Sequence, residues 1–211
     1  TRLLIYAGEP QPYRMKEEIY VDFLPVGDYI QEGIWNIHIT PKKIVNGNFQ
    51  MYLPSEAVRS EGTRFLVPSP EGTLTIPSTA EKVITVGAYQ TFFGAYADFS
   101  GRGYVMNKGS IEAGLSKPDL AAPGVGIRFL GPAGEESYSG TSYATPFVTA
   151  ASALLMEWGI IRGNDPYLYG ERLKSFLLRG ARQLTGLTEY PNPYIGWGTV
   201  CVEESLRLME E

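Results

Sequence analysis

The chain has 211 residues, a net charge of −5 and 44% apolar residues, with acidic and basic side chains interspersed. That length suits one domain, or one domain and part of another, and the charge pattern lacks the clustered basic face that nucleic-acid binding requires. No run approaches the roughly 20 consecutive apolar residues of a membrane span. The single cysteine, Cys201, rules out an internal disulfide framework. The chain starts at Thr1 without an initiator methionine, as a fragment or processed piece would, so a missing targeting signal carries no weight.

In chain order, residues 1–72 read as β structure. Segments 2–7, 18–24, 33–40 and 48–53 are rich in Ile, Val, Tyr, Phe and Trp and partly alternate. Turn material separates them, and Asn46-Gly47-Asn48 is a hairpin signal. The spacing predicts part of an antiparallel sandwich. From residue 73 to 211 the pattern becomes α/β. Residues 82–88 (KVITVGA) form a short apolar run of the kind buried in a parallel sheet. A turn-rich stretch at 97–103 follows, and Lys117-Pro118-Asp119 leads to a strand near 127–130. Helices are predicted over about 142–158, 167–181 and 202–209. The first of these is apolar on nearly all sides, which predicts a central, buried helix about 25 Å long at ~1.5 Å per residue.

The helix over 142–158 opens on Gly140-Thr141-Ser142-Tyr143-Ala144-Thr145-Pro146. A serine in a first helical turn lies where free backbone N–H groups and the positive end of the dipole converge, a good place to stabilise an oxyanion. Serine and threonine are also the favoured N-caps of any helix, so both roles are open from local sequence.

Four ordered segments decide between them: STAEKVITVGA at 78–88, ADFSGRG at 97–103, KPDLAAPGV at 117–125 and SGTSYATP at 139–146. With GWGTV at 196–200, they resemble the C-terminal half of the subtilisin-like serine proteases, the subtilase family. The resemblance covers about residues 74–209. It implies that Ser142 is the nucleophile, with its own backbone N–H as one oxyanion donor, and that Gly140 and Thr141 support the turn. Gly140 is expected to allow a close backbone approach. Pro146 removes the N–H that would bond the Ser142 carbonyl, and is expected to loosen the helix there. Pro123 and Gly124 would turn the chain after the Asp119 segment. Tyr138 and Ser139 flank the motif on what would be the leaving-group side.

A serine hydroxyl needs a positioned base, itself oriented by an acid. In the family these precede the serine, as does the oxyanion asparagine. The only histidine, His38, lies in the β zone without a family-like context. Asp98 and Asp119 are expected to be structural, solvated or capping, and Asn46 and Asn48 suit a turn. The resemblance therefore implies a serine endopeptidase hydrolysing peptide bonds by a Ser-His-Asp mechanism. Ser142 comes from this chain, while His, Asp and Asn lie on a preceding N-terminal half of the same protease, a partner this chain would need. The alternative is a subtilase-fold pseudoprotease acting as a binding scaffold. An unrelated α/β tail after a structural sandwich is a third reading.

The β zone stands where a simple subtilisin has only a short connection. It is similar to the jelly-roll-like insertion of clostridial, spore-germination (Csp-type) subtilases. That resemblance suggests an extracellular or spore-associated location. No cofactor is expected and no metal ligand set is visible. Structural calcium occurs in the family, but no D-x-D-x-D-G-like loop is present. The expected partners are a peptide or protein substrate and the preceding half, with no nucleic acid and no membrane span.

Overall fold

The computed structural model describes residues 1–8, 17–44, 47, 49–55, 58–103, 116–132 and 134–210. It divides into two compact units, Thr1–Phe49 and Gln50–Glu211. This division falls upstream of the boundary expected at 72/73. The reason is local: Gly72 and Thr73 donate to the carbonyls of Gly103 and Arg102, at 3.2 and 2.9 Å, which ties this stretch into the second unit.

In the first unit, β1 (Arg2–Gly8) and β2 (Glu18–Leu24) pair antiparallel, from Arg2 opposite Leu24 to Gly8 opposite Glu18. Both strands fall within a residue of the expected segments. The sandwich expected around them is not formed by the described residues. Residues 33–40 carry the right side chains but make no ladder, and Ile34, Trp35, Ile37 and Ile39 are exposed. A strand is held by its neighbours, and among the described residues none pairs with these. Trp35 instead meets Phe23 edge-to-face at 5.0 Å. The strand expected at 48–53 is also absent from 49–53, and the hairpin signal at Asn46 and Asn48 lies outside the described residues.

The second unit is built on a sheet. Its order is β4 (Ala95–Tyr96), β3 (Val86–Gln90), β5 (Leu120–Pro123), with β3 and β5 parallel, Val86 to Tyr89 facing Leu120 to Pro123. The apolar run at 82–88 therefore becomes strand four residues later than expected. The sheet is prolonged beyond β5 by Thr199, which bridges Ala121 in parallel and Arg182 antiparallel. Gly196 makes this docking close: its φ is +60°, and a Cβ there would lie 2.1 Å from the Pro118 carbonyl oxygen. A separate ribbon, β6 (Ile127–Gly131) with β7 (Gly134–Tyr138), leads into the long helix. Strand β7 (GEESY) is too polar to have been anticipated.

Helix α1 (Thr141–Met156) lies on the sheet, continued by a π-helical extension over Glu157–Ile161. Its residues Ala144, Val148, Ala151 and Leu155 are buried in one core with Ala88, Leu120 and Ala122, at the spacing of a single helical face. Helix α2 (Gly170–Arg179) adds Leu173 and Leu177 to that core, and α3 (Val202–Glu210) packs Leu206 and Met209 against it. The expectation of a helix buried on all sides is corrected. On the face away from the sheet, Phe147 and Leu154 are 42% and 56% exposed. The continuous helical stretch Thr141–Ile161 is also, contrary to expectation, long and apolar enough to cross a membrane by length and composition. One face of it packs against β3 and β5 in the core.

Candidate functional site

Three backbone segments converge on Ser142. Strand β5 ends at Pro123, and the Gly124 N–H donates to the Tyr89 carbonyl at 3.1 Å. The Gly124 carbonyl in turn accepts from the Gly140 N–H at 2.8 Å, and the Gly126 N–H donates to Ser139 Oγ at 2.9 Å. The turn after β5 thus holds the residues just before the helix, and the helix holds the serine.

Gly140 is the N-cap residue, with a positive φ (φ 158°, ψ 157°) that residues with a side chain rarely adopt, and no side chain caps the helix. The capping role open from local sequence is therefore not taken up by Thr141 or Ser142. Ser142 occupies the second helical position, is exposed, and its hydroxyl makes no hydrogen bond among the described residues. Its backbone N–H belongs to the first turn, where N–H groups lack intrahelical acceptors. Pro146 lies inside the helix and supplies no N–H for the Ser142 carbonyl. The Thr145 hydroxyl donates to the Thr141 carbonyl at 3.0 Å, covering the neighbouring acceptor.

The close approach expected at Gly140 lies instead at Gly124. A Cβ on Gly140 would only touch the Tyr143 ring, at 3.4 Å. On Gly124 it would fall 2.6 Å from the Ala88 Cβ, 3.0 Å from the Gly140 carbonyl oxygen and 3.3 Å from the Ala144 Cβ. Gly124 is where strand, loop and helix meet without side chains between them. Gly124→Ala should cost about 1–3 kcal/mol through overpacking. It should also displace Gly140 and hence the start of α1, and thermal unfolding measures the cost.

Neither Asp98 nor Asp119 hydrogen-bonds Ser142. His38 is exposed and belongs to the first unit. Asp98 is exposed. Asp119 is 3% exposed, so the solvated reading is corrected; its carboxylate is an internal anchor. Lys117 Nζ reaches Oδ2 at 2.6 Å, Lys174 Nζ reaches Oδ1 at 2.7 Å, and the Thr85 N–H donates to Oδ2 at 2.7 Å. Burial pushes the Lys117 ammonium below its ordinary pKa, against the pull of Asp119. The Lys-Pro-Asp adjacency signalled half of this cluster; Lys174, on α2, is far away in sequence. Among the described residues no three His, Cys, Asp or Glu side chains gather as a metal site.

Residues 46–198 match the family "Peptidase_S8: Subtilase family", and the chain belongs to that family. Serine protease AprX of Bacillus subtilis (strain 168) is 32% identical over 149 residues, covering 64% of this chain and 32% of AprX. The solved structure of the Clostridium perfringens CspB protease superposes with a TM-score of 0.77 at 36% identity, covering 99% of this chain and 43% of CspB. The self-cleaved protease domain of PatA matches at a TM-score of 0.50 and 27% identity, over 67% of this chain and 46% of that one. The chain therefore has the subtilisin-like fold and resembles CspB along nearly its whole length. It spans about a third of AprX and under half of CspB.

Proposed function

We propose that this chain is the nucleophile-bearing portion of a serine endopeptidase that hydrolyses peptide bonds. The observation that carries the proposal is Ser142, exposed on the first turn of α1 with a hydroxyl uncommitted among the described residues, inside the family motif SGTSYATP. Its Oγ attacks the scissile carbonyl while a histidine takes the proton and an aspartate orients that histidine. The oxyanion of the tetrahedral intermediate is met by the Ser142 N–H and the helix dipole. Collapse of that intermediate expels the amine, and water then releases the acyl group.

The histidine, the aspartate and the oxyanion asparagine come from a preceding segment or chain, the N-terminal half of the same protease. Two observations support this reading. The chain spans 43% of CspB, and α1 leaves an apolar face uncovered, with Phe147 and Leu154 exposed. The same half supplies the strands that complete a jelly-roll-like sandwich around β1 and β2, whose Leu4, Ile5, Tyr6, Ile19 and Tyr20 are exposed. An extracellular or spore-associated location goes with this reading.

A fluorophosphonate probe tests the proposal. In the full-length protein the phosphonyl group should attach at Ser142, located by peptide mass mapping, and the isolated chain should label hardly at all. A full-length protein that stays unlabelled at Ser142 would establish the scaffold alternative, a pseudoprotease.

A further inference from the structure

Beside Ser142 the structure carries an exposed aromatic surface with an acidic edge. Phe129 on β6, Tyr138 on β7 and Tyr143 on α1 lie nearly parallel, with interplanar angles of 18°, 14° and 19°. Their centroids stand 5.5, 5.6 and 6.3 Å apart. A column of three stacked rings would place its outer pair at about twice the neighbour spacing. Here every pair is within offset-stacking range, so the rings overlap like tiles. Phe129 is 40% and Tyr138 46% exposed. The ribbon register places Glu136 directly across from Phe129, and alternation puts Glu136, Phe129 and Tyr138 on one face. The Tyr138 hydroxyl donates to Glu136 Oε2 at 3.1 Å. Arg128, on the opposite face of the ribbon, pairs with Glu135 at 3.4 Å, and no cation among the described residues pairs with Glu136.

We infer that this surface is a specificity subsite for an arginine of the substrate, seated beside the scissile bond. The inference rests on the serine endopeptidase reading. A guanidinium is flat, so it lies on tiled rings, where the negative π faces attract it. Its N–H fork then reaches a carboxylate at the edge, Glu136. A leucine gains only the contact, and a lysine lacks the planar fork that both stacks on the rings and bonds the carboxylate. The chain's net charge of −5 adds a general attraction for basic peptides. Reach sets the position. Tyr143 follows Ser142 directly, about 3.8 Å from Cα to Cα, and an extended substrate advances about 3.3 Å per residue. The subsite therefore serves a residue flanking the scissile bond or the next one along.

The test uses the full-length protease and internally quenched peptides in which one arginine is moved through the two positions on either side of the cleaved bond. At one of these, arginine should raise kcat/KM about tenfold over alanine, as expected for a cation–π contact joined to an exposed ion pair. Lysine and leucine should each give less, and added salt should shrink the arginine advantage. Tyr138→Ala and Glu136→Gln should each remove most of the preference while cleavage of the alanine peptide persists, and Tyr138→Phe should keep most of it. If arginine is not preferred at any of the four positions, or if its preference survives both Tyr138→Ala and Glu136→Gln, the subsite is disproved. Fluorophosphonate titration of Ser142 in the same samples separates that result from failure of the peptidase reading. Absence of both labelling and cleavage overturns both.

Discussion

Ser142→Ala in the full-length protein is expected to lower kcat by about a millionfold, the scale of losing a triad nucleophile from a site that acts as a unit. The midpoint of unfolding should stay where it is or rise slightly. This pairing of effects separates the catalytic role from the bland one. An N-cap serine replaced by alanine loses about 1 kcal/mol of helix stability and changes no chemistry. Ser142 is the second residue of the helix, the cap is Gly140, and the serine hydroxyl holds nothing among the described residues. Alanine is the better helix former at that position. Turnover of a quenched peptide, read beside thermal unfolding of the same sample, checks both halves. A variant that keeps its activity would remove Ser142 from the chemistry, and one that loses stability would return it to capping.

How far this site could be read in advance depended on how local its causes are. The start of α1, its Pro146 and the positions of α2 and α3 follow from short-range signals, and the structure places them within a few residues of expectation. The stretch 139–146 encodes a turn and a helix start locally, but it singled out Ser142 only through its resemblance, with three other ordered segments, to the subtilase family. What failed depended on partners distant in sequence. Residues 33–40 have strand composition but, among the described residues, no neighbouring strand to hold them. The burial of Asp119 depends on Lys174, 55 positions away, as well as on the adjacent Lys117. The glycine that matters most for packing, Gly124, is marked out by the atoms around it, whereas Gly140 is marked out by its positive φ, and neither cause shows in the local sequence. The aromatic tiles come from three different elements, and β7 carries no apolar pattern at all. The exposed side of α1 shows the same limit from the other direction: an all-apolar helix implies cover on every side, whereas Phe147 and Leu154 are exposed among the described residues.

Asp119→Ala is the second large effect, and it falls on stability. The carboxylate joins the start of β5, the stretch before β3 and helix α2 at one buried point. It accepts from the Thr85 N–H and faces two ammonium groups whose side chains are 9% and 14% exposed. Those lysines also donate to backbone: Lys117 to the Val83 carbonyl at 2.7 Å, and Lys174 to the carbonyls of Glu81 and Val83 at 3.0 Å each. Removing the anion leaves both cations buried without compensation, a loss of about 3–5 kcal/mol. Asp119→Asn keeps the shape and can still accept from Thr85, so it should fall between alanine and the wild type. Denaturant unfolding measures the series. The same cluster gives a pH signature. The folded pKa of Lys117 lies below its unfolded value because burial disfavours the ammonium. Between those two values the unfolded chain binds the extra proton, so this contribution to stability grows as pH rises toward the ordinary lysine range and is lost as pH falls through the folded value. Lys117→Met should flatten that rise. Although β5 runs directly into the Gly124 contact that seats Gly140, the Asp119 carboxylate bonds none of those residues, so its variants should lose activity only as fast as they lose folded protein. Activity per titratable Ser142 should hold constant at low temperature; if it drops before unfolding begins, the anchor positions the serine as well as stabilising the fold.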